Sequence, residues 1–212
     1  MRLIEHFLSI QGEGLHPGRP AYFVRFARCN LSCVWCDSTY SFGKGASVSL
    51  RRVARSIRKS RAEFVCLTGG EPLLHLPDCL RLIRRFPRLH FDVETGGSLD
   101  IRPVQKKNTS VIMDWKLEHS GMTSRMRPAN LRALRPSSDL LKLVTDFSSA
   151  EVRQIRRLLA ETERSRVRVS LQPVYGVDPR RMTEWAVARR DPRIQVNLQI
   201  HKIIWGPDRR GV

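Results

Sequence analysis

The segment Cys29-Asn-Leu-Ser-Cys33-Val-Trp-Cys36 places three cysteines within eight residues, spaced x3 then x2. Any fold that contains it must present three thiols from one short loop. Thiolates are soft ligands that hold zinc or iron–sulfur clusters. A structural zinc site wants four protein ligands. Cys66 and Cys79 are the other cysteines and sit in no CxxC pair, although His75 could act as a fourth ligand. Three thiols without an obvious fourth point instead to a 4Fe-4S cube. Each thiolate then takes its own corner, and one iron stays open to another molecule. Packed thiols or a disulfide are the bland alternative, but closely spaced cysteines in a reducing compartment more often bind metal.

The remaining composition sets the class of chain. With 212 residues, 41% of them hydrophobic, one sizeable core and a single domain are expected. No run of eighteen apolar residues exists, and the first residues read as no export signal. Free thiols and an oxygen-sensitive cluster favour a reducing cytoplasm. The net charge of +18 attracts polyanions, so a nucleic-acid role has to be weighed. The bases are scattered over probable helix faces, as at Arg51, Arg52, Arg55, Arg58, Lys59 and Arg61. No aromatic-interleaved basic motif accompanies them. Solvated basic helices are the simpler reading, and a nucleic-acid partner is not required.

Along the chain, strands alternate with helices. Apolar, β-branched runs predict strands at Ala21–Ala27, Glu63–Thr68, Leu89–Glu94, Ser110–Lys116, Leu140–Thr145, Val167–Leu171 and Ile194–Ile200. Helices are expected at Ser49–Ser60, Asp78–Phe86, after a capping box at Ser148–Glu151, and at Pro179–Arg189. Cys66 and Cys79 fall at core positions of this pattern. In the first strand Tyr22, Val24 and Phe26 share one face, and Phe23, Arg25 and Ala27 the other. Arg25 is the odd residue there, and a buried arginine calls for an anion. The alternation argues for parallel βα units, with too few helices for a complete barrel.

Parallel βα folds carry their chemistry at the carboxyl ends of the strands. Six segments fall there: Cys29 onward, Thr68-Gly69-Gly70-Glu71-Pro72, Glu94–Gly97, Asp114-Trp115-Lys116, Gln172–Gly176 and His201-Lys202. Paired glycines at Gly69 and Gly70 let backbone approach a ligand closely. Alone they would read as an ordinary strand-to-helix turn. Together with the cysteine loop, whose Trp35 precedes the last thiol, the segment resembles the radical S-adenosylmethionine (SAM) superfamily and its GGEP motif.

Other segments narrow the resemblance. Ser9-Ile10-Gln11-Gly12-Glu13-Gly14, Cys36-Asp37-Ser38, and Leu198–Lys202 with Pro207 resemble signatures of the 7-carboxy-7-deazaguanine synthase family. The similarity runs from about residue 4 to 210. It implies one radical SAM domain over residues 1–212 on a partial TIM-like barrel, with the cluster loop at 29–38 and a substrate-capping segment at about 198–212. The implied reaction converts 6-carboxy-5,6,7,8-tetrahydropterin to 7-carboxy-7-deazaguanine and ammonia, toward 7-deazapurines such as queuosine. The implied cofactors are a 4Fe-4S cluster, SAM and Mg2+. The implied partners are a flavodoxin-like or ferredoxin-like electron donor and a second copy of the chain.

The resemblance also assigns roles. Cys29, Cys33 and Cys36 hold the cluster. Ser38 stands where the family often has a threonine on magnesium, and either hydroxyl suits a hard cation. Gly70, Asp114, Trp115, Lys116, Gln172, Pro173, Val174 and Tyr175 match SAM-binding stretches. Ile10, Gln11, Gly12, Arg25, Thr68 and Pro207 match substrate contacts, with Arg25 on the substrate carboxylate. Glu13, Glu94 and His201 are further pocket candidates. Three other readings compete: an activase of a glycyl-radical protein, a basic zinc or nucleic-acid module, and a relative with a shifted substrate.

Overall fold

The computed structural model describes all 212 residues, Met1–Val212. Its strands are β1 (Arg2–Ile10), β2 (Pro20–Phe26), β3 (Ala46–Ser47), β4 (Phe64–Gly69), β5 (His90–Thr95), β6 (Thr109–Asp114), β7 (Leu140–Thr145), β8 (Arg168–Pro173) and β9 (Ile194–Val196). The helices are α1 (Leu50–Ser60), α2 (Leu76–Arg85), α3 (Pro128–Ala133), α4 (Ser149–Glu161), α5 (Arg180–Arg189) and α6 (Ile200–Trp205). All strands join one nine-stranded sheet in the order β3-β1-β2-β4-β5-β6-β7-β8-β9. β1 runs antiparallel to β2 and β3, and every pairing from β2 through β9 is parallel. The sheet does not close, so the architecture is a partial TIM-like barrel. No helix is long and apolar enough to cross a membrane.

The helices form where capping and periodicity agree. Ser49 Oγ accepts the Arg52 N–H at 3.2 Å and opens α1. Val53, Ala54 and Ile57 bury one face of α1, while Arg58 and Lys59 sit in its last turn against the negative end of the helix dipole. Helical and outward strand residues merge into a core of 37 buried side chains, including Tyr22, Val24, Phe26, Cys79 and Leu82. Burial of this size is the main favourable term for the fold.

The other face of the sheet looks into the partial barrel. Register brings Arg25 beside Thr68, and Glu94 beside Ile112. It likewise sets Asp114 beside Lys142, and Val144 beside Gln172. Polar side chains from successive strands therefore point to one interior.

Several expectations need correction. β1 was not among the expected strands; only Leu3 in it is fully buried, so its period-2 pattern is weak. The strand expected over Ser110–Lys116 ends at Asp114. That expected over Ile194–Ile200 stops at Val196, and a helix starts at Ile200. The chain turns because Asn197 Nδ2 donates to Gly14 O at 2.8 Å and Ile200 N–H to Gly12 O at 3.1 Å. The capping box is half made. Ser148 Oγ accepts the Glu151 N–H at 3.4 Å, but the Glu151 carboxylate turns to Thr145 Oγ1 and the Asp146 N–H.

Candidate active site

The interior holds a cavity of about 440 Å³. Cys29, Cys33 and Cys36 face it from the loop after β2. All three are free and half-buried. The loop is held by its own turn, Cys36 N–H to Cys33 O at 3.2 Å, and by Val34 N–H to Ser120 O at 3.1 Å. Burial pushes the Cys29 and Cys33 thiols up, with Lys116 opposing at Cys33. Ligation must therefore displace their protons.

The metal alternatives differ in ligand number: a structural zinc wants four protein ligands, whereas a cube with one open iron wants three. The fourth ligand considered for zinc, His75, is committed elsewhere: its Nε2 lies 2.7 Å from Ala27 O and its ring stacks on Phe26.

The Thr68–Pro72 turn braces the loop. A Cβ on Gly70 would lie 2.0 Å from Arg28 O and 2.8 Å from Cys29 N. The space that glycine leaves is filled by the root of the cysteine loop, as well as bordering the cavity. Gly70 N–H donates to Phe26 O at 3.1 Å and Glu71 N–H to Arg28 O at 2.8 Å. The fully buried Glu71 carboxylate accepts from Leu73 N–H, Thr95 Oγ1 and Gly96 N–H. It thereby clamps the ends of β4 and β5 together.

A second layer is built from the segment after β1. Gln11 Nε2 donates to Glu94 Oε1 at 3.0 Å, and Thr68 Oγ1 to Glu94 Oε2 at 3.0 Å. Burial and the charge of Glu13 raise Glu94 above the ordinary carboxylate range. Lys142 Nζ stands 2.7 Å from Glu13 Oε1 and 3.7 Å from Asp114 Oδ2, while Lys116 Nζ stands 2.9 Å from Asp114 Oδ2. Burial pushes Glu13 up, but Lys142 more than cancels this and leaves it below its ordinary value. Burial opposes the charge on Lys142, yet Glu13 and Asp114 hold it well above its ordinary value. Gln172 Nε2 also donates to Glu13. Asp114 Oδ1 and Gln172 Oε1 are buried without a partner. Both residues line the cavity, so acceptors are in place for a polar ligand.

Arg25 already has an anion. Its Nε donates to Glu5 Oε1 at 2.8 Å, and Tyr40 Oη donates to the same oxygen at 3.1 Å. The side chain borders the cavity with its Nη atoms uncommitted within the chain. The burial of Arg25 therefore does not depend on a substrate carboxylate alone.

The C-terminal segment also lines the cavity, through Gln199, His201, Lys202 and Pro207. Lys202 Nζ and Gln199 Nε2 reach Asp37 Oδ2 at 2.7 and 3.1 Å. Ser38 Oγ donates to Asp37 Oδ1 at 3.0 Å. A Cβ on Gly12 would meet His201 Nδ1 at 1.9 Å, so glycine makes room for the His201 ring. Burial keeps His201 below its ordinary pKa and so neutral near pH ~7.

Of the residues expected at the site, Ile10, Gln11, Gly12, Glu13, Arg25, Ser38, Thr68, Gly70, Glu94, Asp114, Lys116, Gln172, Val174, Tyr175, His201 and Pro207 border this cavity with the three cysteines. Trp115 and Pro173 do not. Each follows an inward residue by one position, so strand alternation turns it away. Trp115 packs in the core, and Pro173 is buried at the end of β8. Sequence reasoning missed Lys142, Glu5 and Tyr40, and named Asp37 and Lys202 only within motif segments, without a role. For Lys142 a signal existed, a lysine between leucines in β7, the same anomaly that marked Arg25.

Comparison with known proteins places this geometry. Residues 23–112 match the family model described as the radical SAM superfamily. The chain is 32% identical to the 7-carboxy-7-deazaguanine synthase of Clostridium acetobutylicum, covering 100% of this chain and 99% of the relative. It is 35% identical to the enzyme of that name from Thermoplasma acidophilum, over 97% and 98% of the two chains. Its fold is similar to the crystal structure of QueE from Escherichia coli, with a TM-score of 0.74, 26% identity and 93% of each chain covered. With relatives of that name at 32% and 35% identity over nearly the whole chain, the chain belongs to the 7-carboxy-7-deazaguanine synthase family of radical SAM enzymes.

Proposed function

We propose that this enzyme contracts the ring of 6-carboxy-5,6,7,8-tetrahydropterin, giving 7-carboxy-7-deazaguanine and ammonia. The observation that carries the reading is one cavity bordered both by the three cysteines and by the row Arg25, Thr68 and Glu94. A bound 4Fe-4S cluster and SAM would supply the one-electron chemistry that starts the ring contraction. Cys29, Cys33 and Cys36 hold the cluster. Asp114, Lys116, Gln172, Val174, Tyr175 and Gly70 surround SAM, with Asp114 Oδ1 and Gln172 Oε1 as free acceptors.

Arg25 directs its Nη atoms at the substrate carboxylate while Glu5 fixes its Nε. Gln11, Thr68 and Glu94 form one hydrogen-bonded edge that reads the polar rim of the pterin. Ile10 and Gly12 line its flank, and His201 and Pro207 border it from the C-terminal segment. Ser38 and Asp37 offer the oxygen ligands that Mg2+ prefers. The chain acts as a homodimer that receives its electron from a flavodoxin-like or ferredoxin-like donor, and its product feeds 7-deazapurine synthesis.

Anaerobic incubation of cluster-loaded enzyme with SAM, Mg2+, reductant and the pterin, followed by mass analysis, tests this reading. The expected product has the mass of 7-carboxy-7-deazaguanine, with equimolar ammonia. SAM cleavage that leaves the pterin unchanged would favour a shifted substrate or an activase.

A further inference from the structure

We propose that His16, His90 and Asp92 form a second metal site, taking a divalent transition ion of the zinc class at the floor of the partial barrel. One ligand atom from each residue lies within 4.8 Å of the others. His16 Nδ1 is 3.0 Å from Asp92 Oδ2, and His90 Nε2 is 3.5 Å from Asp92 Oδ1. Two imidazoles and one carboxylate are a donor set that suits zinc or iron(II) and leaves a position for water. Asp92 is 2% exposed, and beyond the long 3.5 Å approach of His90 Nε2 its buried Oδ1 has no hydrogen-bond partner. A buried carboxylate oxygen without a partner is costly, and an ion between the rings would satisfy it. The imidazoles are partly open, at 25% and 32% side-chain exposure, which gives an ion a path in.

The site is separate from the cavity described above. His90 opens β5, and Glu94 lies four residues farther along the same strand face. At ~3.3 Å per residue the two are ~13 Å apart. His16 lies on the segment between β1 and β2, which also carries Gln11, Gly12 and Glu13. An ion there would pin that segment to β5 from below, with its nearest ligand, Asp92, two residues or ~7 Å short of Glu94. Ser110 Oγ, 2.9 Å from His90 Nε2, would release that nitrogen to the metal. Each neutral imidazole binds through one nitrogen with its proton held on the other, so binding releases no net proton. The net charge of +18 works against a cation, so affinity rests on direct ligand bonds.

The test uses cluster-loaded protein, in which iron occupies the three loop cysteines while Cys66 and Cys79 are buried. It is stripped of loose metal with a chelating resin, given Zn2+, desalted, and counted for metal. About one zinc per chain is expected, with a zinc K-edge spectrum showing imidazole and oxygen neighbours and no sulfur. His16→Gln and His90→Gln should each cut retained zinc to about a tenth or less while keeping iron content and circular dichroism. Should one variant fail to fold, the other and the ligand spectrum of the unaltered protein decide. No retained zinc, zinc bound by sulfur or by oxygen alone, or undiminished retention in the variants overturns the proposal.

Discussion

Lys142 Nζ stands 2.7 Å from Glu13 Oε1, joining the middle of β7 to the segment after β1 across 129 residues of sequence. Both side chains are nearly inaccessible, at 8% and 14% exposure. Removing one partner of such a pair leaves an uncompensated charge. Lys142→Met should cost ~3–5 kcal/mol in denaturant unfolding, and Lys142→Met with Glu13→Gln should recover part of it.

The same pair sets an acid dependence. Glu13 titrates below its ordinary 4.5 in the folded chain, so its contribution is complete above that value. It is lost as pH falls through the folded value. The gap in melting temperature between the parent and Lys142→Met should therefore be widest near pH ~7 and narrow on acidification. Glu94, raised by burial, runs the other way: it destabilises progressively as pH rises from its unfolded value to its folded one. Melting curves of Glu94→Gln across the same range isolate that term.

Arg25→Ala should lower kcat/KM for the pterin by about 10–100-fold, the loss of a charge-assisted contact worth ~1.5–3 kcal/mol. Iron content and visible absorbance should be unchanged, since Arg25 is not a cluster ligand. Steady-state kinetics beside iron analysis separates substrate binding from cluster assembly. Normal kinetics in the variant would remove Arg25 from the substrate.

Gly70→Ala should damage the cluster loop before it damages the fold. The new Cβ would press on the carbonyl of Arg28, one residue before the first cluster cysteine, and backbone cannot swing aside as a flexible side chain does. Iron retention after gel filtration should fall severalfold with far-UV circular dichroism little changed. Equal iron in parent and variant would show that the loop tolerates the shift.

Glu71→Gln tests the clamp between β4 and β5. An amide presents N–H where the carboxylate now receives donors from Leu73, Thr95 and Gly96. A loss of about 1.5–3 kcal/mol is expected, read as a lower denaturant midpoint at constant m-value.

Which of these features sequence could reveal follows from their physics. The cysteine loop and the parallel strands were legible because spacing and apolar runs report them directly. Arg25 was legible as a charge on an apolar strand, and Lys142 could have been found by the same test. Trp115 and Pro173 were misplaced because a motif match assigns whole segments, while a strand sends alternate residues to opposite faces. The turn into α6 was hidden because it depends on Asn197 and Ile200 meeting Gly14 and Gly12, contacts more than 180 residues apart in sequence. The clamp role of Glu71 was hidden too, since two of its partners, Thr95 and Gly96, lie at the end of the next strand.

Electron paramagnetic resonance of the reduced, reconstituted protein, recorded with and without SAM and beside iron and sulfide analysis, asks whether Cys29, Cys33 and Cys36 would hold a cluster that meets SAM. A 4Fe-4S stoichiometry and a signal that shifts when SAM is added are expected. Zinc in place of iron, or a signal indifferent to SAM, would rule that role out.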